Sequence, residues 1–561
     1  VRWGVVNEPT NVNNVIGLLD KEYMSPFWRE RLERIRNWPG TRKLLDAVSI
    51  VVLIGYFLHF ALPALRGGFR EDEMMNIATY WRAGALKSLW ANVLFWTPFY
   101  RPGGALYYLP LYHFFALDPL PYRIVQIGIL AASIPIVYYL SHCLASSRSV
   151  TFLAVLALCY HPHLANLVYV GAFIYDVLCG FFYFAALAYY IRIRAKELPL
   201  RPTQLLGFLA LYICALNSKE MAVTLPVMVL IYEFLKSPRW TSWKAFVYWG
   251  WHSAAPPLIA GLLTAIYIFG KTRGSSALIK LEPYRPRYSW HQFTSANAKF
   301  VGELLFAPHA VTPTILLILW ILVFIYAFLR RDRTLQLMAF WIVIVPLPIA
   351  FLLPVRGGGS LYLLLFGWVI IFAKVAFDLV SLISRSSIFV GHLSPRVLRV
   401  AATILLGSTL AFFTQRENQR YAMAWLKVGA KTSHVIQALQ SLNLHPAPGS
   451  SVLLLPERIP FQNQWNVFFI ASLVWNDRSL RIWLEGAHKL TPQQVANMHY
   501  IISLSEFQAR VVRSPEIPES LKECLPTLED LLRCPRVPRT RVAFQNRKYL
   551  TPSQRVADCC A

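Results

Sequence analysis

Eleven apolar runs alternate with polar stretches along the first three quarters of the chain: Leu44 to Leu65, Tyr122 to Leu144, Val150 to Val168, Ala172 to Ile193, Gln204 to Leu216, Met221 to Leu235, Phe246 to Phe269, Thr312 to Leu329, Leu335 to Leu353, Leu361 to Leu382 and Leu398 to Phe413. A helix needs about 20 apolar residues to cross the hydrocarbon core of a bilayer. Most of the runs approach that length; the fifth and sixth are short. After Phe413 the pattern changes. Arg420 to Leu442 reads as an amphipathic helix, Ser451 to Leu455, Leu480 to Trp483 and Tyr500 to Leu504 as strands, and Gln462 to Trp475 and Pro492 to Met498 as helices. The expected fold is an α-helical polytopic membrane protein of about eleven transmembrane helices with a small C-terminal α/β domain. Its expected parts are a basic segment over 1–43, a transmembrane module over 44–413, the α/β domain over 414–505 and an irregular tail over 506–561.

Composition changes this picture in one respect, the meaning of charge. The 561 residues are 56% hydrophobic and 15% charged, with a formal net charge of +26. In a membrane protein such an excess belongs to cytoplasmic loops and anionic headgroups, so it is no footprint of nucleic-acid binding. Arg29, Arg31, Arg34, Arg36, Arg42 and Lys43 precede the first run and place the N-terminus in the cytoplasm; that run then serves as the insertion signal. Threading the runs alternately puts Arg148, Arg192, Arg194, Lys236, Lys244, Arg330, Arg331, Arg333 and Arg399 inside and the C-terminus outside. Among the short external loops only Lys219 and Arg356 carry positive charge. Cys143, Cys159, Cys179 and Cys214 fall in apolar runs, Cys524, Cys534, Cys559 and Cys560 in the tail, and none has zinc-site spacing.

Candidate chemistry gathers in the external loops. Glu71-Asp72-Glu73 follows the first run, where acids also suit the start of a helix. Adjacent residues on a helix point about 100° apart, so Asp72 and Glu73 cannot easily address one atom: one would act and the other orient it or hold a cation. His161, His163, Asp176, Lys219 and Glu220 stand at the external ends of runs, as functional groups or as caps. Arg356 opens three glycines before Ser360-Leu361-Tyr362, and such a run can bring backbone and guanidinium close to a phosphate.

In their order, Asp72-Glu73, Tyr100-Arg101-Pro102, His161-Pro162 with Asp176, Ser218-Lys219-Glu220, and Arg356 with Leu361-Tyr362-Leu363 resemble the C-superfamily (GT-C) of integral membrane glycosyltransferases, nearest to the protein O-mannosyltransferase relatives and their bacterial cousins. The likeness covers residues 44 to 413. It implies inverting transfer of a sugar from a polyprenyl-phosphate donor to a hydroxyl acceptor at the non-cytoplasmic face, most readily of a bacterial inner membrane. Asp72 is then the base with Glu73 beside it. Arg101, Lys219 and Arg356 bind the donor phosphate, with room for a divalent magnesium or manganese ion; His161, His163, Asp176, Glu220 and Tyr362 are further site candidates. Among those relatives are transmembrane enzymes that carry tetratricopeptide repeats, and Asn166 stands where they tend to have an acid, which leaves sugar and metal open. The lipid bilayer and membrane-protein partners suit this class, and the acceptor is unspecified. The alternatives are a non-catalytic subunit or scaffold that keeps the fold, and a polysaccharide ligase or polymerase.

Overall fold

The computed structural model describes residues 41–513 except 196–198, 238–241, 274–279, 281, 384–394, 458, 462 and 487–489. The basic N-terminal cluster up to Arg36 and the four tail cysteines lie outside the described residues. The chain begins with α1 (Thr41–Ala61) and makes an excursion through α2 (Glu71–Ala83), α3 (Ala85–Val93) and α4 (Ala105–Phe115). It then runs through α5 (Pro119–Ala145), α6 (Arg148–Cys159), α7 (Ile174–Arg194), α8 (Pro202–Ser218), α9 (Leu225–Lys236) and α10 (Trp243–Thr272). A second excursion carries α11 (Trp290–Leu304), before α12 (Pro313–Leu329), α13 (Arg333–Ala350), α14 (Tyr362–Ile383) and α15 (Pro395–Gln440).

Seven of these helices are long and apolar enough to cross a membrane, and α6 with its bent continuation Pro162–Tyr169 makes an eighth. The other three predicted spans are shorter helices: α8 and α12 have 17 residues and α9 has 12. At about 1.5 Å per residue, 17 residues reach about 26 Å, just short of a hydrocarbon core of about 30 Å. The shortfall at α9 has a local cause, since the 3-10 turn Glu220–Thr224 occupies the start of its apolar run. Unpartnered apolar side chains point outward along the bundle: Val48 and Val51 on α1, Leu258 and Leu262 on α10, Ile318 and Leu322 on α12, Ile404 and Leu405 on α15. This is the band expected of a lipid-facing surface. Cys143 and Cys214 are exposed, where their apolar surroundings in the sequence pointed to burial.

Ion pairs show which helix ends meet. At one end, here called basal, Arg148 bonds Asp46, Arg194 bonds Glu233 and the Ser253 hydroxyl, Lys374 pairs with Asp332, and the Thr334 hydroxyl donates to the Leu144 carbonyl. At the opposite end Lys219 meets Asp176 and Ser360, and Lys271 donates to the Phe99 carbonyl. The helices α1, α5–α10 and α12–α15 therefore run alternately between the two ends, with α2–α4 and α11 gathered at the second. Caps mark several starts: Asp118 and Asp332 accept backbone N–H bonds from Leu120 and from Thr334 and Leu335.

The segments Leu398 to Phe413 and Arg420 to Leu442, read separately from the sequence, belong to the single 46-residue helix α15. Nothing between them breaks a helix, and at about 1.5 Å per residue it extends about 69 Å. It crosses the loop after α1 at close range: a Cβ on Gly68 would stand 2.5 Å from the Gly429 carbonyl oxygen.

Beyond α15 lies a four-stranded sheet, β1 (Ser451–Pro456), β2 (Arg481–Leu484), β3 (Tyr500–Leu504) and β4 (Ala509–Arg513), in the order β2-β1-β3-β4. The first three strands are parallel, with Val452 opposite both Ile482 and Tyr500; β4 is antiparallel to β3. The sheet thus continues past residue 505, into the stretch expected to be irregular. The helices are α16 (Trp465–Trp475) and α17 (Pro492–Ala496). α16 is apolar almost all round because it is sandwiched between the sheet and α2. The Tyr112 hydroxyl donates to the Leu473 carbonyl at 2.7 Å, Arg82 donates to the Ser472 hydroxyl at 3.2 Å and caps the Phe468 ring, and Arg478 lies over Trp81. The domain is fastened to the first excursion at the end opposite the basal one.

Candidate functional site

α2 sorts its three first-turn acids. Glu73 is buried, receives two bonds from Arg123 Nη2 at 2.9 and 3.1 Å, and accepts the Gly171 N–H at 2.7 Å. Arg123 also donates to the Gly68 carbonyl at 2.8 Å, so this pair ties α2 to α5 and to the turn before α7. Glu71 faces the C-terminal domain, where Asn466 Nδ2 donates to it at 2.8 Å. Burial and the neighbouring Asp72 push its carboxyl up to about 7. Asp72, Met75 and Thr79, at i, i+3 and i+7, form the less buried stripe of the helix. Of the three acids, Glu71 and Asp72 are partly exposed and Glu73 is buried.

Eight residues further along α2, about 12 Å by helical rise, Tyr80 reaches a second set of groups. Its hydroxyl donates to the Arg101 carbonyl at 3.0 Å and lies 2.9 Å from the Tyr175 hydroxyl. Arg101 has a left-handed backbone (φ 35°) that turns its side chain against the Tyr100 and Tyr175 rings and into a two-pronged bond with Glu220, at 3.2 and 2.9 Å. Desolvation opposes ionisation of Glu220, but the guanidinium beside it holds its carboxyl down at about 2. Lys219 is buried, 2.5 Å from Asp176 and 3.0 Å from the Ser360 hydroxyl. Two more cations share the field of Arg101 and Glu220: half-buried Lys271, over the Tyr267 ring, and half-buried Arg356, over the Tyr284 ring. Four cations thus stand around two carboxylates, each already engaged by a cation. These surroundings are rich in tyrosine, with Tyr100, Tyr175, Tyr267 and Tyr284 against the cations.

The three glycines after Arg356 do not form an open cradle of N–H groups. The Gly358 N–H donates to Glu303 Oε1 at 2.7 Å and the Gly359 N–H to Asn166 Oδ1 at 2.8 Å. Gly358 is left-handed (φ +57°), and a Cβ there would collide with the Asn166 side chain. His163 Nδ1 donates to the Glu303 carbonyl at 2.7 Å, and His161 Nε2 to that of Leu304 at 3.1 Å while its ring stacks on Phe306. The histidines therefore fasten the end of α11. Tyr362 points into the bundle, its hydroxyl 3.2 Å from that of Ser133 and its ring against Gly180.

Of the residues singled out in the sequence, Arg101, Asp176, Lys219, Glu220 and Arg356 come together; His161, His163 and Tyr362 hold the surrounding backbone and bundle; Glu73 is locked to Arg123; and Asp72 lies in the first turn of α2, whose Tyr80 reaches the Arg101 backbone. Sequence reasoning missed Lys271, Glu303 and Arg123. A lone arginine opening the run Tyr122 to Leu144 was a readable signal for the last. Among the described residues no three or more His, Cys, Asp or Glu side chains group to hold a metal ion. With Glu73, Asp176 and Glu220 each engaged by a cation, the donor set does not fit one.

Neither a protein-family model nor a curated protein matches the chain. Among solved structures it is similar to the archaeal oligosaccharyltransferase AglB from Archaeoglobus fulgidus, in complex with an inhibitory peptide and a dolichol-phosphate. That match has a TM-score of 0.47 and 11% identity over 83% of this chain and 70% of that one. It is also similar to ArnT from Cupriavidus metallidurans bound to undecaprenyl phosphate, with a TM-score of 0.43 and 12% identity over 87% of this chain and 95% of that one. At these scores the likeness carries no functional inference.

Proposed function

We propose that the chain is an integral membrane glycosyltransferase that moves a sugar, with inversion, from a polyprenyl-phosphate donor to a hydroxyl acceptor. The observation that carries this reading is the gathering of four cations, Arg101, Lys219, Lys271 and Arg356, at one end of an apolar bundle, beside the helix that begins Glu71-Asp72-Glu73. A cluster of cations at the edge of a bilayer would match a phosphate whose tail stays in lipid. Exposed Arg192, Arg201, Lys244, Arg331 and Arg333 in the short basal loops support a cytoplasmic basal end by the positive-inside rule, with the site at the other face.

In the reaction the Asp72 carboxylate takes the proton of the acceptor hydroxyl while its oxygen bonds to the anomeric carbon from the side opposite the phosphate. The bond from that carbon to the phosphate oxygen breaks, and the polyprenyl phosphate departs with its charge rising from one negative to two. Arg356 and Lys271 meet that rise, while Arg101 and Lys219, fixed by Glu220 and Asp176, shape the pocket. Glu73, in its pair with Arg123, orients the start of α2. No step needs a metal ion.

Asp72→Asn tests the reading, because it keeps size and most hydrogen bonding and removes the proton acceptor. Sugar transfer should fall about 10²- to 10⁴-fold with donor binding retained. Equal transfer by both forms would overturn the base assignment. A wild-type protein inactive with every polyprenyl-phosphate sugar, yet stably bound to membrane partners, would favour the scaffold.

A further inference from the structure

The second excursion supplies a group with no assigned role. Glu303, at the end of α11, puts its carboxylate into the loop between α13 and α14 that carries Arg356. Its Oε1 accepts the Gly358 N–H at 2.7 Å, and a Cβ on Gly357 would stand 2.5 Å from its Oε2, so the loop closes around this carboxylate. One residue on, the Gly359 N–H is held by Asn166 at 2.8 Å. One further, Ser360 accepts from Lys219 at 3.0 Å. Arg356 therefore begins a five-residue segment pinned at three successive points, and its exit is tied to a second cation of the site. Glu303 is itself held from behind, where His163 donates to its backbone carbonyl at 2.7 Å.

We propose that Glu303 is a positioning residue for donor binding: it acts through the Gly357–Gly358 backbone to set the place of the Arg356 guanidinium relative to Lys219. The inference rests on the reading of this end as the donor-phosphate site. A surface ion pair would be the ordinary use of a carboxylate next to an arginine loop. Here the carboxylate accepts a backbone N–H, and the arginine side chain lies over the Tyr284 ring. Its role therefore depends on an acceptor oxygen at that place rather than on negative charge, and glutamine can supply the oxygen.

The test is a double-mutant cycle on the full chain in lipid nanodiscs, with farnesyl phosphate as the probe. Glu303→Ala should weaken binding about tenfold, the scale of one buried backbone group losing its partner. Glu303→Gln should restore most of the affinity, and Glu303→Ala combined with Arg356→Ala should bind no more weakly than Arg356→Ala alone. Hydrogen exchange of the peptide over 355–361 should quicken in Glu303→Ala and not in Glu303→Gln. Additive losses in the double variant, unchanged affinity in Glu303→Ala, or no rescue by glutamine would overturn the positioning role while leaving the donor site standing. A wild-type chain that binds no farnesyl phosphate or longer polyprenyl phosphate would overturn the donor reading, and this inference with it.

Discussion

The two ends of the helical bundle handle positive charge in opposite ways. At the basal end the buried charges are matched: Arg194 with Glu233 is the clearest case, Asp46 holds Arg148, and the cations in excess, such as Arg192 and Arg331, are exposed. At the other end Glu220 and Asp176 pair with Arg101 and Lys219, and two further cations, Lys271 and Arg356, stand half-buried over tyrosine rings close to them. Surplus charge in water is screened at little cost, whereas surplus charge withdrawn from water calls for a counter-charge. The difference teaches that the basal pairs belong to the fold, while the cations gathered at the site end have the anion-binding role proposed above for them to play.

The largest expected effect lies in the matched pairs. Removing one partner of Arg194–Glu233 or of Arg123–Glu73 should cost about 3–5 kcal/mol, and replacing both of a pair with apolar residues of similar volume should recover most of it. Thermal unfolding in detergent checks this. It also separates two roles for Glu73: Glu73→Gln that loses transfer but keeps its melting temperature would make Glu73 part of the chemistry instead of the frame. Arg356→Ala should behave oppositely, leaving stability nearly unchanged and weakening donor binding by about 1.5–3 kcal/mol, the range for a charged hydrogen-bond partner. Arg356→Lys should recover only part, because the planar fork is gone. Lys271→Met should weaken binding by about 1 kcal/mol, a smaller loss because Lys271 already donates to the Phe99 carbonyl.

The smallest effect concerns Glu71 at the joint between α2 and the C-terminal domain. Its folded-state carboxyl, raised from 4.5 to about 7, keeps a proton that the unfolded chain has already released. This group's contribution is therefore most favourable below about pH 4.5 and declines as pH rises toward 7. Glu71→Gln should raise the melting temperature at pH 8 more than at pH 5. Equal shifts at both values would remove Glu71 as a titrating contact.

Much of the helical module was legible because apolar runs of membrane length have few other uses, and the loops between them carry charge with a clear bias. The strands β1 to β3 could be read from short β-branched and aliphatic runs. β4 was hidden in Ala509–Arg513, whose edge position leaves it charged and only partly buried. Of the site, the two external cations Lys219 and Arg356 stood out against the charge bias. Lys271 did not, since a lysine at the end of a span reads as a headgroup contact, and Glu303, in the last turn of α11, falls in a stretch between apolar runs with no pattern to single it out. The glycines after Arg356 gave the wrong partner from sequence alone: they make room for Glu303 and Asn166, and no spacing rule reveals which side chain fills a backbone cradle.

The central claim is the proposal that the end gathering Arg101, Lys219, Lys271 and Arg356 receives a lipid-linked phosphate, and direct binding tests it. Polyprenyl phosphate would be titrated into nanodiscs holding the wild-type chain, the Lys271→Met/Arg356→Ala double variant, and a basal double variant, Arg331→Ala/Arg333→Ala. The account predicts saturable binding to the wild type, the same affinity for the basal variant, and a loss of about a hundredfold for the site variant, the scale of two charged partners. Equal weakening by both double variants, or no saturable binding to the wild type, would contradict it.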